Sequence, residues 1–294
     1  MQLLDGKKAA EHYKEEISRE ATRFTRQTGR KPYLVTILVG NNGASETYVA
    51  SKLRNSERVG FRASLIRFDD SIREETLLEQ IDQLNTDDEV DGILVQLPLP
   101  AQIDEKKVIM HISPEKDVDG FHPESLGKML TGLPTFLPAT PYGIVQLLDH
   151  YGVETEGRHC VVMGRSNIVG TPVSILLSRQ GNPGNCTVTI VHSRTKDLTC
   201  FTRQADILIV AIGRPEFLTA DMIKEGAVVV DVGIHRIPDA GKKSGYRLVG
   251  DVKFDEVAPR CSYISPVPGG VGLMTIVGLL QNTLQAARRR NSRS

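Results

Sequence analysis

The sequence lacks an excess of either charge. Its 36 lysines and arginines cancel its 36 aspartates and glutamates, so no overall field draws it to nucleic acid or to an acidic membrane surface, and a small molecule is the favoured partner. Cysteine is scarce: Cys160, Cys186, Cys200 and Cys261 are scattered, with no close pair to build a zinc knuckle or other metal site, or a redox couple. Nothing at the N-terminus reads as a signal peptide, and a reducing, cytoplasmic setting is expected. Long apolar runs are missing too. "ILIVAIG" and "AVVV" fall far short of the roughly 20 residues a bilayer-spanning helix needs and read as buried strands. There is no internal repeat and no low-complexity tract.

What is present suffices for two domains of ordinary size, with 294 residues, 40% hydrophobic composition and 26 glycines. A polar helix over about 6–28 precedes "PYLVTILVG" (32–40), a β-branched run closed by glycine that suits an interior parallel strand. A helix follows, then a second strand, "FRASLIRF". In "SIREETLLEQIDQL" Ser71 and Glu74 have capping-box spacing, and Leu77, Leu78, Ile81 and Leu84 form an apolar face. "VDGILVQLPLP" (90–100) gives a third strand running into a Pro-rich turn. This alternation predicts a parallel α/β sheet.

The densest Pro/Gly/Thr stretch, "TGLPTFLPATP" (131–141), marks a domain boundary, after which Thr140 and Pro141 open a helix that Gly152 closes. A second βα series runs through "RHCVVMGRS", "CTVTIVHSR", "ADILIVAIG", "AVVVDVGI" and "RLVGDV". The last helix, "GLMTIVGLLQNTLQAA", ends in "RRRNSRS", read as a frayed end whose cations suit the helix dipole.

In "VVMGRSNIVGTPVSILLSRQG" a strand enters a tight turn and a helix begins near Gly170. Gly164 and Gly170 would let backbone approach a pyrophosphate favoured by N–H groups at the helix start, although the G-x-S-x-x-V-G pattern also fits a structural turn. About 20 residues further on, where a carboxylate would hold an NAD ribose, the chain has "HSR". Ser193 and Arg194, with Arg165 in the turn, suit a 2′-phosphate, which favours NADP over NAD. Gly213 in "AIGRPEF" and Gly233 in "DVGIH" sit at strand ends where such sheets bind ligands, next to the nicotinamide and ribose, and Ile234 joins them; plain loop turns would look the same.

"ASETYVASK" (44–52) puts Tyr48 and Lys52 one turn apart on one helix face. Such a pair is either a dehydrogenase signature or a surface accident. In a short-chain dehydrogenase it follows the glycine-rich turn; here it precedes that turn by more than a hundred residues. "VQLPLP" (95–100), "PEKDVDGFHP" (114–123) and "PVPGGVG" (266–272) add strand ends and loops in which Gln96 and Asp119 supply directed polar groups.

Taken together and in order, from about Asp5 to Ala287, these segments resemble the bifunctional methylenetetrahydrofolate dehydrogenase/methenyltetrahydrofolate cyclohydrolase (FolD) family. The resemblance implies an α/β protein of two domains: a substrate domain, 1–138 completed by 270–294, and a Rossmann-like NADP-binding domain with a parallel sheet, 139–269, with a cleft where they meet. It implies oxidation of 5,10-methylenetetrahydrofolate with NADP, hydrolysis of the methenyl product to 10-formyltetrahydrofolate, and a homodimer. Lys52 becomes the catalytic lysine, Tyr48 the ring that stacks on the folate, Gln96 the partner of Lys52, and Asp119 the pterin grip, with a weaker claim for Asp117. Leu97 and the loop of Pro268, Gly269 and Gly270 line the folate site; Arg165, Ser166 and Ser193 match NADP-contacting positions. Three positions depart from the family pattern: Gly43 and Leu273 where proline is usual, and Ala139 in place of a cysteine. Leu273 is expected to alter the path into the last helix, and with it the balance of the two activities; a member with one activity is the alternative.

Overall fold

The computed structural model describes residues 1–242 and 245–292. In chain order its elements are β1 (Gln2–Leu3), α1 (Gly6–Thr28), β2 (Tyr33–Val39), α2 (Gly43–Arg58), β3 (Arg62–Phe68), α3 (Glu74–Thr86), β4 (Gly92–Val95), α4 (Glu105–His111), α5 (Pro123–Leu130) and α6 (Ala139–His150). Then come β5 (His159–Met163), α7 (Gly170–Ser178), β6 (Thr187–Val191), α8 (Leu198–Thr202), β7 (Ile207–Val210), β8 (Ala227–Asp231), β9 (His235–Pro238), β10 (Tyr246–Val249), α9 (Phe254–Val257), β11 (Cys261–Ile264) and α10 (Val271–Asn291). Contacts group them into two compact units, Met1–Glu11 with Thr140–Thr275, and His12–Ala139 with Ile276–Ser294.

In the unit built on 12–139, the parallel sheet β3-β2-β4 has β2 at its centre. All seven residues of β2 are buried, as expected of an interior strand covered on both faces. One face packs against Leu77, Leu78, Ile81 and Leu84 of α3. On the other, Leu34 and Leu94 join Val118, Phe136 and, from α10, Leu279 and Ala286. Residues 116–119 run alongside β4: Ile93 N–H donates to the Lys116 carbonyl (2.8 Å), and Asn282 on α10 donates to the carbonyls of Val118 and Leu137 (2.8 Å each).

In the other unit the sheet order is β1-β11-β8-β7-β5-β6, every neighbouring pair parallel. β5 comes first in the series, then β6 on one side and β7 and β8 on the other. The chain therefore reverses direction across the sheet between β5 and β7, the kind of switch point at which open α/β sheets bind ligands. Its core is the apolar cluster of Val161, Met163, Leu208, Val210, Val229 and Ile264 with their neighbours.

Several local expectations are corrected. Ser71 does not cap α3: its hydroxyl donates to Asp69 (2.8 Å), the N-cap is Arg73 without a side-chain bond, and Glu74 accepts from Asp104 N–H (2.8 Å). Thr140 lies inside α6, its hydroxyl 3.0 Å from that of Thr275. "RLVGDV" does not extend the parallel sheet; β10 pairs antiparallel with β9 as a separate hairpin. β11 and the two-residue β1 complete the sheet, which places Met1–Glu11 with the second unit, whereas the sequence sets the first 138 residues together. The basic tail is not frayed as far as residue 292: Arg288 pairs with Glu20, and Arg290 donates to the Val90 carbonyl (2.9 Å) and lies 3.7 Å from Asp91. The last two tail residues, 293–294, lie outside the described residues.

Candidate functional site

Lys52 occupies a core position. On α2 the residues Ser45, Val49, Lys52 and Ser56 are buried, at spacings of three and four that align one face of a helix, and Lys52 is 3% exposed. Its Nζ donates to Gln96 Oε1 (3.1 Å) and lies 4.6 Å from the centroid of the Tyr48 ring. Gln96 is fixed at the end of β4, its N–H donating to the Ile37 carbonyl (2.9 Å) and its side-chain amide to the Leu97 carbonyl (2.7 Å). The peptide bond after Leu97 is cis. Because β2 is flanked by β3 and β4, α2 and Gln96 follow the two strands at which this smaller sheet reverses, again a switch point.

Asp119 closes the cluster. Its carbonyl accepts from Ala139 N–H (3.2 Å), and Gly120 beside it has φ +75, with any Cβ there 2.7 Å from the Leu137 backbone. Burial pushes the Lys52 amine below the ordinary lysine value, opposed by the negative charge of Asp119; burial likewise raises the Asp119 carboxyl, opposed by Lys52. An ammonium has three protons to donate, and Gln96 accepts one. Burial thus shifts the amine toward its neutral form, next to an aromatic face and within the field of Asp119. Asp117 has a different task. Its Oδ2 accepts His122 N–H (2.7 Å), and its carboxyl is raised to about 7, first by burial and further by the charge of Asp119, against the backbone N–H bonds of residues 120–122.

The residues expected to hold the cofactor lie in the other unit, along the C-terminal ends of the adjacent strands β6, β5, β7 and β8. Gly164 has φ +116, and its N–H donates to the Val191 carbonyl (2.9 Å), which joins the turn after β5 to the end of β6. A Cβ on Gly164 would meet Ala211 O at 2.2 Å, and one on Gly170 would meet Gly164 O at 2.2 Å. These glycines therefore serve the close stacking of turn, helix and neighbouring strand, a packing requirement beside the ligand approach expected of them. Ser166 Oγ accepts from Val169 N–H (3.2 Å) and Gly170 N–H (3.4 Å) at the start of α7. Arg165, Ser193 and Arg194 are exposed at the ends of neighbouring strands, and the turn holding the last two is set by His192 N–H to Thr195 Oγ1 (2.9 Å). Two guanidiniums and a hydroxyl at this edge, with no carboxylate between residues 192 and 196, fit the phosphorylated ribose of NADP.

Gly213 (φ +68) is exposed with open space beyond it, and Ile234 is 64% exposed although apolar. Pro268, Gly269 and Gly270 belong to this unit as well. Val267–Pro268 is cis, Gly269 has φ +108, and Gly270 O sits where a Cβ on Gly6 would meet it at 2.1 Å. Leu273 N–H donates to Gly270 O (3.3 Å) in the first turn of α10, a bond a proline could not make.

Sequence patterning gives little sign of a buried carboxylate pair in the same unit. Asp231 ends an otherwise apolar strand, and Asp251 follows Gly250 in the loop after β10; both are buried. Asp251 Oδ2 accepts Ile212 N–H (2.7 Å) and Gly213 N–H (3.0 Å), while Oδ1 accepts Arg214 N–H (2.9 Å) and lies 2.7 Å from His235 Nε2. Asp231 accepts the N–H groups of Gly233, Asp251 and Val252 at 3.0, 2.9 and 3.0 Å. The only advance signal is a charged residue at the end of an all-apolar strand.

Comparison with known proteins matches the chain in two parts: residues 4–119 fit the family model described as the tetrahydrofolate dehydrogenase/cyclohydrolase catalytic domain, and residues 138–291 its NAD(P)-binding domain. The chain is 63% identical to the bifunctional protein FolD of Cytophaga hutchinsonii, over 98% of this chain and 99% of that protein. Among solved structures it is similar to the bifunctional FolD methylenetetrahydrofolate dehydrogenase/cyclohydrolase of Campylobacter jejuni (46% identity, TM-score 0.91, 99% of each chain). It is also similar to the Trypanosoma brucei methylenetetrahydrofolate dehydrogenase-cyclohydrolase complexed with NADP cofactor and an inhibitor (38% identity, TM-score 0.92, 99% of this chain and 98% of that one).

Proposed function

The chain belongs to the tetrahydrofolate dehydrogenase/cyclohydrolase family, and from that premise we propose how its residues carry out the two reactions. It is an NADP-dependent enzyme of one-carbon metabolism that oxidises 5,10-methylenetetrahydrofolate to the methenyl cation and hydrolyses that product to 10-formyltetrahydrofolate. Bound NADP supplies the hydride acceptor. The Lys52 amine, 3% exposed beside Gln96 and Tyr48 and within the field of Asp119, is the observation that carries the assignment of roles.

A protonated lysine would repel the cationic product, whereas a neutral amine takes a proton from the water that attacks it. Gln96 aims the amine. Tyr48 offers a flat apolar face to the folate, and Asp119 accepts paired N–H bonds from the pterin. Leu97, Pro268, Gly269 and Gly270 line the folate site. Gly164, Arg165, Ser166, Gly170, Ser193, Arg194, Gly213, Gly233 and Ile234 receive NADP. The regular start of α10 through Leu273 supports retention of both activities. The enzyme works in the cytoplasm as a homodimer; Ile190, 41% exposed on the edge strand β6, is an apolar group suited to pairing with a second copy. No helix among the described residues is long and apolar enough to cross a membrane.

The test is to supply 5,10-methylenetetrahydrofolate with NADP or NAD and follow reduced nucleotide and methenyl absorbance together. Reduction with NADP and no methenyl build-up is expected. Methenyl accumulation would show that hydrolysis is missing, preference for NAD would overturn the roles of Arg165, Ser193 and Arg194, and sedimentation at monomer mass would remove the dimer.

A further inference from the structure

Four hydrogen bonds converge on Asp251, which is fully buried: three from the consecutive N–H groups of residues 212–214 and one from His235. Since a carboxylate only accepts, His235 Nε2 must carry the proton of that bond. Four donors saturate the lone-pair sites of a carboxylate, so Asp251 has none left for a ligand or a proton transfer. Its backbone is held in turn by Asp231, which accepts Asp251 N–H and Gly233 N–H on one oxygen. The packing leaves no slack: a Cβ on Gly233 would meet Asp251 Oδ1 at 2.4 Å, and one on Gly250 would meet Asp231 Oδ2 at 1.8 Å.

We propose that Asp251 is a positioning residue, which with His235 and Asp231 clamps the loops after β7 and β8 in the shape that receives the nicotinamide end of NADP. This rests on the cofactor roles of Gly213, Gly233 and Ile234 given above. Regular α/β sheets leave the loops at their strand ends to find their own bonds. Here one side chain turns three successive N–H groups inward, so that Gly213 stands at φ +68 with open space on its outer side. His235 immediately follows Ile234, so its bond to Asp251 also sets the height of that exposed side chain.

The experiment compares D251N, H235L and H235Q, reading the NADP KM, the dehydrogenase kcat, and cyclohydrolase turnover with methenyltetrahydrofolate supplied directly. An Asn at 251 turns an NH2 group toward backbone N–H donors, and Leu at 235 removes the fourth donor; Gln at 235 can still donate. D251N and H235L are expected to raise the NADP KM about tenfold or more, with cyclohydrolase turnover within about twofold of wild type and H235Q near wild type in both. If D251N does not fold, the partly exposed His235 position decides through its two variants. An unchanged NADP KM in H235L, or a fall in cyclohydrolase turnover matching the dehydrogenase loss, overturns the positioning role. A wild-type protein that reduces no NADP overturns the functional reading and the clamp together, so the two failures are distinguishable.

Discussion

The two units both bury charge, and they satisfy it in opposite ways. In the 12–139 unit, the Lys52 amine is surrounded by one amide oxygen, one aromatic face and the field of Asp119. In the 140–275 unit, Asp251 and Asp231 sit in nests of backbone N–H donors. Burial with one acceptor pushes the Lys52 amine below its ordinary value, whereas Asp251, with a donor for each acceptor site, is scaffold; Asp231 stands between, its carboxyl raised to about 7 by burial and by the charge of Asp251 against its three N–H donors. The contrast explains how two parallel sheets, reversing beside β2 in one and beside β5 in the other, serve chemistry in one case and shape in the other.

The sharpest way to break the contrast is to remove the under-satisfied group. Lys52→Met is expected to lower cyclohydrolase turnover by about 10²- to 10⁴-fold, the usual worth of a general base, while NADP binding measured by fluorescence stays unchanged. Full turnover in that variant would end the assignment of the base.

A smaller effect is expected at the other unit's rim. Arg194→Ala should raise the KM for NADP about tenfold, the worth of a charge-assisted bond, and leave the KM for NAD nearly unchanged. Equal losses for both nucleotides would mean that Arg194 shapes the turn and does not read the 2′-phosphate.

The last concerns stability rather than turnover, at Asp117, a buried acid in the lysine's own unit that behaves in part like the scaffold carboxylates. Its folded carboxyl titrates at about 7, above the ordinary aspartate value. Between pH 4 and 7 the native state therefore holds a proton that the unfolded chain releases, and stability falls as pH rises through that window, by at most about 4 kcal/mol. Asp117→Asn keeps an acceptor for His122 N–H and should reduce this slope in denaturant titrations at pH 5 and pH 7.5 without abolishing it, because the Asp231 carboxyl is also raised to about 7. An identical slope in the variant would assign the pH dependence elsewhere.

Much of this was legible in the sequence, and the parts that were not share a cause. β2, the apolar face of α3 and the turn at Gly164 are local patterns, and local patterns survive folding. Lys52 and Tyr48 were legible as a pair because helical spacing fixes their face; their meaning needed Gln96, 44 residues from Lys52. The clamp was not legible, since Asp251 meets residues 37 to 39 positions earlier through backbone N–H groups that exist in every sequence. Nor was β1, whose two exposed residues are too short a run to carry alternation. Ser71 and Glu74 show the reverse error: a capping spacing in which each residue found a better partner elsewhere, Asp69 for one and Asp104 N–H with Lys107 for the other. For Gly170 the structure adds a packing requirement, because sequence shows that a side chain is missing and structure shows what fills its place.

The central claim is that Lys52 works as a neutral amine, and an NMR titration of lysines labelled at the ε-carbon tests it directly, with Lys52→Met used to identify the resonance. A midpoint below the ordinary lysine value of about 10.4, matching the acid limb of the cyclohydrolase pH profile, is the predicted result. A Lys52 resonance that titrates at or above that value would contradict it.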